Sequence, residues 1–178
     1  MSELGDLQRK MLADRVVAIF EPIDDRVAER TIGQILYLEE IDPEREITLS
    51  LNTSGGSIPA GLSILQTIGS LELPLRTVCL DRCGGIATLL LAAGARGSRA
   101  ARREARISLD KLAAKPGQGA DLELEQLRQK LLALTSALSG QSLERVRQDL
   151  ELELELTAEG ARRYGLIDEV FIKPAEEQ

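Results

Sequence analysis

The chain has 178 residues, 22 Lys+Arg against 29 Asp+Glu, 43% hydrophobic residues, 2% aromatic residues, two Cys and no His. Without an imidazole it cannot supply the general base of a Ser-His-Asp or Cys-His site, nor a His-containing zinc site. A net charge of −7 argues against a general nucleic-acid binder, while the hydrophobic fraction suffices for one globular domain over 1–178.

The N-terminus, MSELGDLQRK, lacks an apolar signal core, and no eighteen-residue apolar run occurs. A cytoplasmic protein, without membrane or cofactor, is expected, with only residues 1–8 and 174–178 frayed. Arg15–Phe20 reads as a short buried strand ending before Pro22. Asp24-Asp25 opens a helix in which Val27, Ile32, Ile35, Leu36 and Leu38 recur at helical spacing up to Asp42-Pro43. Residues 46–52 alternate as a strand and run into Thr53-Ser54-Gly55-Gly56-Ser57, before a helix over about 58–71 with Leu62, Leu65 and Ile68 on its apolar side.

A second strand, glycine turn and helix unit follows: Leu75–Leu80, the turn Asp81–Gly85, and a very apolar helix from Ile86 to Ala95. Strands alternating with helices in this way predict an α/β fold of βαβ units around a mostly parallel sheet. Residues 106–109 suggest another strand, and Pro116-Gly117-Gln118-Gly119 a break before a long helix over 121–138. Leu124, Leu127, Leu131, Leu134 and Leu138 form an apolar stripe on that helix. Ser142 caps a further helix, the alternation Glu151–Leu156 reads as a half-exposed strand, and Thr157-Ala158-Glu159 opens a last helix ending at Gly165, before a strand over Leu166–Ile172.

Both glycine turns lie between a strand and a helix, where backbone N–H groups can hold an anion or oxyanion. Neither fits a dinucleotide or P-loop pattern. Cys79 and Cys83 are too few for a metal site or a disulfide framework. Arg96, Arg99, Arg102, Arg103 and Arg106 form the basic cluster of an acidic chain, and pairing with carboxylates explains it better than nucleic acid, since no aromatic platform accompanies it.

Four segments carry a resemblance. Asn52-Thr53-Ser54-Gly55-Gly56-Ser57-Ile58-Pro59-Ala60-Gly61, Leu90–Gly97, Ser139-Gly140-Gln141-Ser142-Leu143-Glu144 and Tyr164-Gly165-Leu166-Ile167-Asp168 are similar to the Clp protease proteolytic-subunit family, collinearly from about Leu12 to Val170. The resemblance implies a ClpP/crotonase-like fold with a protruding handle at about 110–138. It also implies correspondences for the catalytic triad: Gly85 stands where that family has its nucleophilic serine, Asp110 where it has histidine, and Glu153 where it has the third member. No catalytic residue is therefore expected, and the chain resembles the degenerate class called ClpR. Glycine offers no attacking atom, so the covalent acyl step would be lost. Gly55, Gly56 and Ile86 match the family's oxyanion-forming turns, and Arg106, Leu124, Leu127 and Leu131 its ring-to-ring contacts.

The implied partners are an active ClpP paralogue in mixed heptameric double rings and, weakly, an AAA+ unfoldase of the ClpC or ClpX type. Docking is expected to be weak because Thr48, Ser50 and Leu65 occupy the segments that match aromatic-lined grooves. The dozen residues before the first strand are likewise expected to be too few for the family's axial-pore loop. Substitute nucleophiles, Cys83 or a Ser57–Lys111 dyad, lack a visible activating partner, whereas Asp110 with Glu153 would form a carboxylate pair. Two other functions stay open: a homo-oligomeric scaffold, and a crotonase-like acyl-thioester enzyme using backbone donors with Asp110 or Glu153 as base.

Overall fold

A computed structural model describes residues 3–110 and 122–172. Helix α1 (Glu3–Ala13) leads into β1 (Val16–Ile19), α2 (Asp25–Ile41), β2 (Ile47–Thr53), α3 (Ile58–Ser70), β3 (Leu75–Cys83) and α4 (Ile86–Ala92). There follow β4 (Arg99–Arg102), β5 (Arg106–Ser108), α5 (Leu122–Ser139), α6 (Leu143–Glu151), β6 (Glu155–Thr157), α7 (Ala158–Tyr164) and β7 (Glu169–Phe171). The strands form one sheet of order β1-β2-β3-β4-β7, parallel throughout. The end of β3 leaves β4 and pairs instead with β5, which carries β6 antiparallel on its other edge. The mixed α/β architecture is thus as the strand and helix alternation predicts.

The helices begin where the sequence signals them. Asp24, Ser57, Ser142 and Thr157 each accept a hydrogen bond from a backbone N–H three residues on, satisfying a donor that the first turn leaves unpaired. Strand β2 has buried Ile47, Leu49 and Leu51, and α4 is buried at all seven positions. A helix enclosed on every side needs a nearly apolar surface, and the one polar side chain of Ile86–Ala92, Thr88, is satisfied by donating to the Cys83 and Ser108 carbonyls.

Several expectations are corrected. Residues 3–13 are helical, so α1 replaces most of the expected frayed segment at the N-terminus, while 174–178 lie outside the described residues. Asp81, Arg82 and Cys83 belong to β3, which confines the turn to Gly84-Gly85, and α4 stops at Ala92 rather than Ala95. Leu36 is exposed on α2. Within the expected strand 151–156, α6 runs to Glu151 and only Glu155–Thr157 pairs. The helix end itself interrupts the alternation, because Leu154 N–H bonds back to Asp149 O and turns Glu153 into a left-handed conformation with φ +50°. The last strand is likewise shorter than expected: Leu166, Ile167 and Asp168 precede it, and β7 spans Glu169–Phe171.

Strand β4 falls inside the arginine-rich stretch. Its alanines, Ala100 and Ala101, are buried, and Arg99 is 3% exposed. The Arg99 guanidinium donates to both Asp168 oxygens, Nη2 to Oδ1 at 2.6 Å and Nε to Oδ2 at 2.8 Å. Its Nη1 also reaches carbonyls at the C-terminal ends of α4, α5 and α7, on Ala92, Leu138 and Gly165. One buried cation therefore satisfies three helix ends, where cations are favoured by the aligned peptide dipoles. Arg15 acts similarly at the end of α2, donating to carbonyls of Leu38, Asp42, Arg45 and Glu46.

The leucine stripe of α5 is only partly outward. Leu131 is buried, and Leu134 and Leu138 pack on the core. Leu127 is half-buried, while the Leu124 side chain and residues 111–121, including Lys111, the Pro116–Gly119 break and much of the expected handle, lie outside the described residues. Leu131, expected as an assembly contact, packs against the chain's own core. The cause is that α5 lies across α4 and α6, which cover its C-terminal half.

Candidate functional site

Strands β2 and β3 end side by side and deliver the two glycine turns to one place. The carbonyl of Thr53, at the end of β2, accepts from Gly84 N–H at 3.1 Å. Gly85 then caps α4 with φ +51° and ψ −123°, a conformation that side chains adopt only with strain. Sharp strand-to-helix turns of this kind lift the residue at their apex out of the sheet and present it to a cleft. At this apex is a hydrogen atom. A Cβ built on Gly85 would meet only Asp110, at 3.3 Å from Oδ2 and 4.0 Å from Cβ.

Asp110 follows β5, which pairs with the end of β3. Across the ladder, Arg106, Ile107 and Ser108 oppose Thr157, Leu156 and Glu155, and Leu109 N–H donates to Leu154 O at 2.9 Å. Glu153 lies just before this ladder, in the turn that closes α6, its N–H donating to Leu150 O at 3.2 Å. The three triad-matching positions Gly85, Asp110 and Glu153 are accordingly brought to one end of the β3–β5–β6 ladder. Neither carboxylate takes part in a hydrogen bond or ion pair among the described residues.

The oxyanion-matching residues divide. Gly55 N–H donates to Thr53 Oγ1 at 3.2 Å, so its amide is already committed, which corrects its expected role as a free donor. Gly56 and Ile86 N–H have no acceptor among the described residues. Gly56, at φ +149°, sits against the backbone of Ile23, with Ile23 N–H bonded to Gly55 O and Ser57 N–H to Ile23 O. A methyl group there would collide with Ile23 O. Gly56→Ala is expected to destabilise the fold by about 2 kcal/mol or more, read as a lowered denaturant midpoint.

The remaining candidates are placed as follows. Arg106 is exposed on β5, its Nε 3.9 Å from Glu155 Oε1 of the same chain. Ser57 caps α3, accepting from Ala60 N–H at 3.4 Å, and is not directed to a general base among the described residues. Ser50 is buried, Thr48 half-buried, and Leu65 packs on the core. Cys79 and Cys83 are both 0% exposed. Burial first, then the neighbouring Cys79, raises the Cys83 thiol well above its ordinary range, which leaves no thiolate to attack. In native protein neither cysteine is expected to react with a thiol-specific chromogenic reagent within minutes, both titrating only in denaturant. The Arg99–Asp168 pair, absent from the sequence-based site, had no signal beyond Asp168 following Tyr164-Gly165-Leu166-Ile167.

Two cavities adjoin the elbow. An apolar one of about 40 Å³ lies between Gly85, Ile86, Leu89 and Leu109, backed by Leu131 and Leu150. A wider one of about 430 Å³ continues between α5 and α6, with Asp110, Leu131 and Leu150 common to both.

The glycine elbow at Gly84-Gly85 thus stands beside two backbone N–H groups, of Gly56 and Ile86, that have no acceptor among the described residues, an arrangement able to hold an oxyanion. The family model for Clp protease matches residues 2–174, and the chain belongs to the Clp protease family as a ClpP-like protein. Among the described residues no helix is long and apolar enough to cross a membrane.

Proposed function

We propose that this chain is a non-catalytic, ClpR-type subunit of a cytoplasmic, ATP-dependent Clp protease core. It occupies places in mixed heptameric rings beside an active ClpP paralogue, lines part of the chamber, receives peptide without cleaving it, and contributes weakly to docking of an AAA+ unfoldase. One observation carries the reading: the elbow at Gly84-Gly85 keeps its turn and its neighbouring donors but holds glycine facing Asp110, in a chain with no His. Peptide cleavage by this family's chemistry needs an attacking atom and a base to receive its proton. Residual oxyanion stabilisation does not replace either.

The test is a co-expressed ring in which the paralogue's nucleophilic serine is replaced by alanine. Such a ring should assemble and hydrolyse no fluorogenic peptide above background. Turnover by that ring, or by this chain alone, would overturn the reading.

A further inference from the structure

We propose that the space in front of Gly84 is a site for a monovalent metal cation of the sodium or potassium class, held by the Ser54 carbonyl, the Ser108 hydroxyl and the Asp110 carboxylate. Such a site belongs to the elbow itself, whether or not the chain joins mixed rings. A Cβ built on Gly84 would lie 2.9 Å from Ser54 O, 2.9 Å from Ser108 Oγ and 3.0 Å from Asp110 Oδ2. Oxygens from the turn after β2, from β5 and from the residue beyond its end thus converge on one point beside the elbow. Gly84 is not among the glycines with positive φ, so its missing side chain answers to this crowded space and not to a backbone conformation that glycine alone tolerates.

None of the three oxygens accepts a hydrogen bond among the described residues. Their positions are nonetheless fixed by neighbours. Thr53 O accepts from Gly84 N–H at 3.1 Å and Thr53 Oγ1 from Gly55 N–H at 3.2 Å, which brackets Ser54. Ser108 O accepts from Thr88 Oγ1 at 2.7 Å. The acceptors are therefore in place before an occupant arrives, which lowers the cost of binding it. A carboxylate, a carbonyl and a hydroxyl suit a hard cation and not a metal that prefers sulfur or imidazole. One carboxylate supplies one negative charge, which a monovalent ion neutralises, whereas calcium sites collect about six to eight oxygens and tighten with added ligand charge. Asp110 also lines both cavities, so the ion reaches the cradle, and completes its shell with water, from the cleft side. Bound there, it would neutralise the carboxylate that faces Gly85 and tie the two glycine turns to the end of β5.

The experiment compares thermal melts of the full-length protein in chlorides of potassium, sodium and tetramethylammonium, the last being too large for the cradle. At about 0.2 M salt the midpoint is expected to be about 3 °C or more higher in the better alkali chloride than in tetramethylammonium chloride. Asp110→Asn, which removes the charge at constant size, should abolish this difference, and Gly84→Ala, which puts a methyl group into the cradle, should do the same. Glu153→Gln should leave it unchanged. The difference between salts is read within each variant, so a lowered midpoint in Gly84→Ala does not obscure it. Crystals grown with thallium(I) in place of potassium should show an anomalous peak between Ser54 O, Ser108 Oγ and the Asp110 carboxylate. Equal midpoints in all three salts, which a water molecule in the cradle would give, would overturn the proposal. So would a difference that survives Asp110→Asn, a larger shift from about 1 mM calcium than from the alkali salts, or no thallium peak. Any of these would leave the non-catalytic subunit reading standing, since that reading is tested by assembly and hydrolysis in the mixed ring.

Discussion

Gly85→Ser alone is expected to yield no measurable peptide hydrolysis, whereas Gly85→Ser combined with Asp110→His should produce turnover about 10²-fold or more above the single variant. The geometry supports the pair because a Cβ at position 85 points at Asp110, 3.3 Å from Oδ2. A serine hydroxyl built there would lie within reach of a side chain from position 110. Without an imidazole, its proton has no acceptor matched to neutral pH, and a positioned base of that kind contributes about 10²–10⁴-fold. The elbow angles, φ +51° and ψ −123°, impose about 1–3 kcal/mol of strain on any side chain, so thermal melts of both variants accompany the fluorogenic assay. Hydrolysis by Gly85→Ser alone would mean that Asp110 or Glu153 already serves as base and that the chain is not inert for want of histidine.

The second large effect is structural. Arg99→Ala is expected to lower stability by about 3–5 kcal/mol, because it leaves three helix-end carbonyls without their donor and the Asp168 charge with backbone N–H groups alone. Asp168→Asn should cost less, since its amide oxygen still accepts from the Gly97 and Arg99 backbone N–H groups that now bond Oδ2. The pH dependence follows from the same contact. The Arg99 guanidinium, helped by those backbone donors, holds the Asp168 carboxyl down to about 2 from its ordinary 3.8. A carboxylate whose folded pKa is depressed contributes stability that is fully present above the unfolded value and is lost as pH falls towards the folded one. The parent should therefore lose this contribution between about pH 4 and pH 2, and Asp168→Asn should show a flatter acid limb over the same window. Equal acid limbs in urea titrations would contradict the assignment.

The legible parts of the fold were those written in periodicity and caps. Asp24, Ser57, Ser142 and Thr157 mark helix starts that the backbone bonds reproduce, and Gly165 closes α7 in a left-handed conformation at φ +93°. Strand β4 was hidden because its inward positions are alanines, buried by close approach to the neighbouring strands rather than by bulk, and because Arg99 reads as a surface charge until Asp168 is beside it. The role of Leu131 was hidden for the opposite reason: a leucine stripe looks the same whether a neighbouring helix of the chain or of another subunit covers it. At the site, the two turns and positions 85, 110 and 153 were recognisable from local motifs, but their meeting depends on β5 leaving the edge of β3 and on the antiparallel β5–β6 ladder. The commitment of Gly55 N–H to Thr53 is an ST-turn, a threonine hydroxyl accepting from the N–H two residues on, which Thr53-Ser54-Gly55 permits but does not oblige.

Native mass spectrometry of this chain co-expressed with an active Clp paralogue, joined to a fluorogenic peptide assay of the separated species, asks whether the chain is an inert member of mixed rings. Mixed rings whose activity tracks the number of paralogue subunits, with none from rings of this chain alone, are the predicted result. Homo-oligomers that exclude the paralogue, or peptide cleavage by the pure chain, would contradict it.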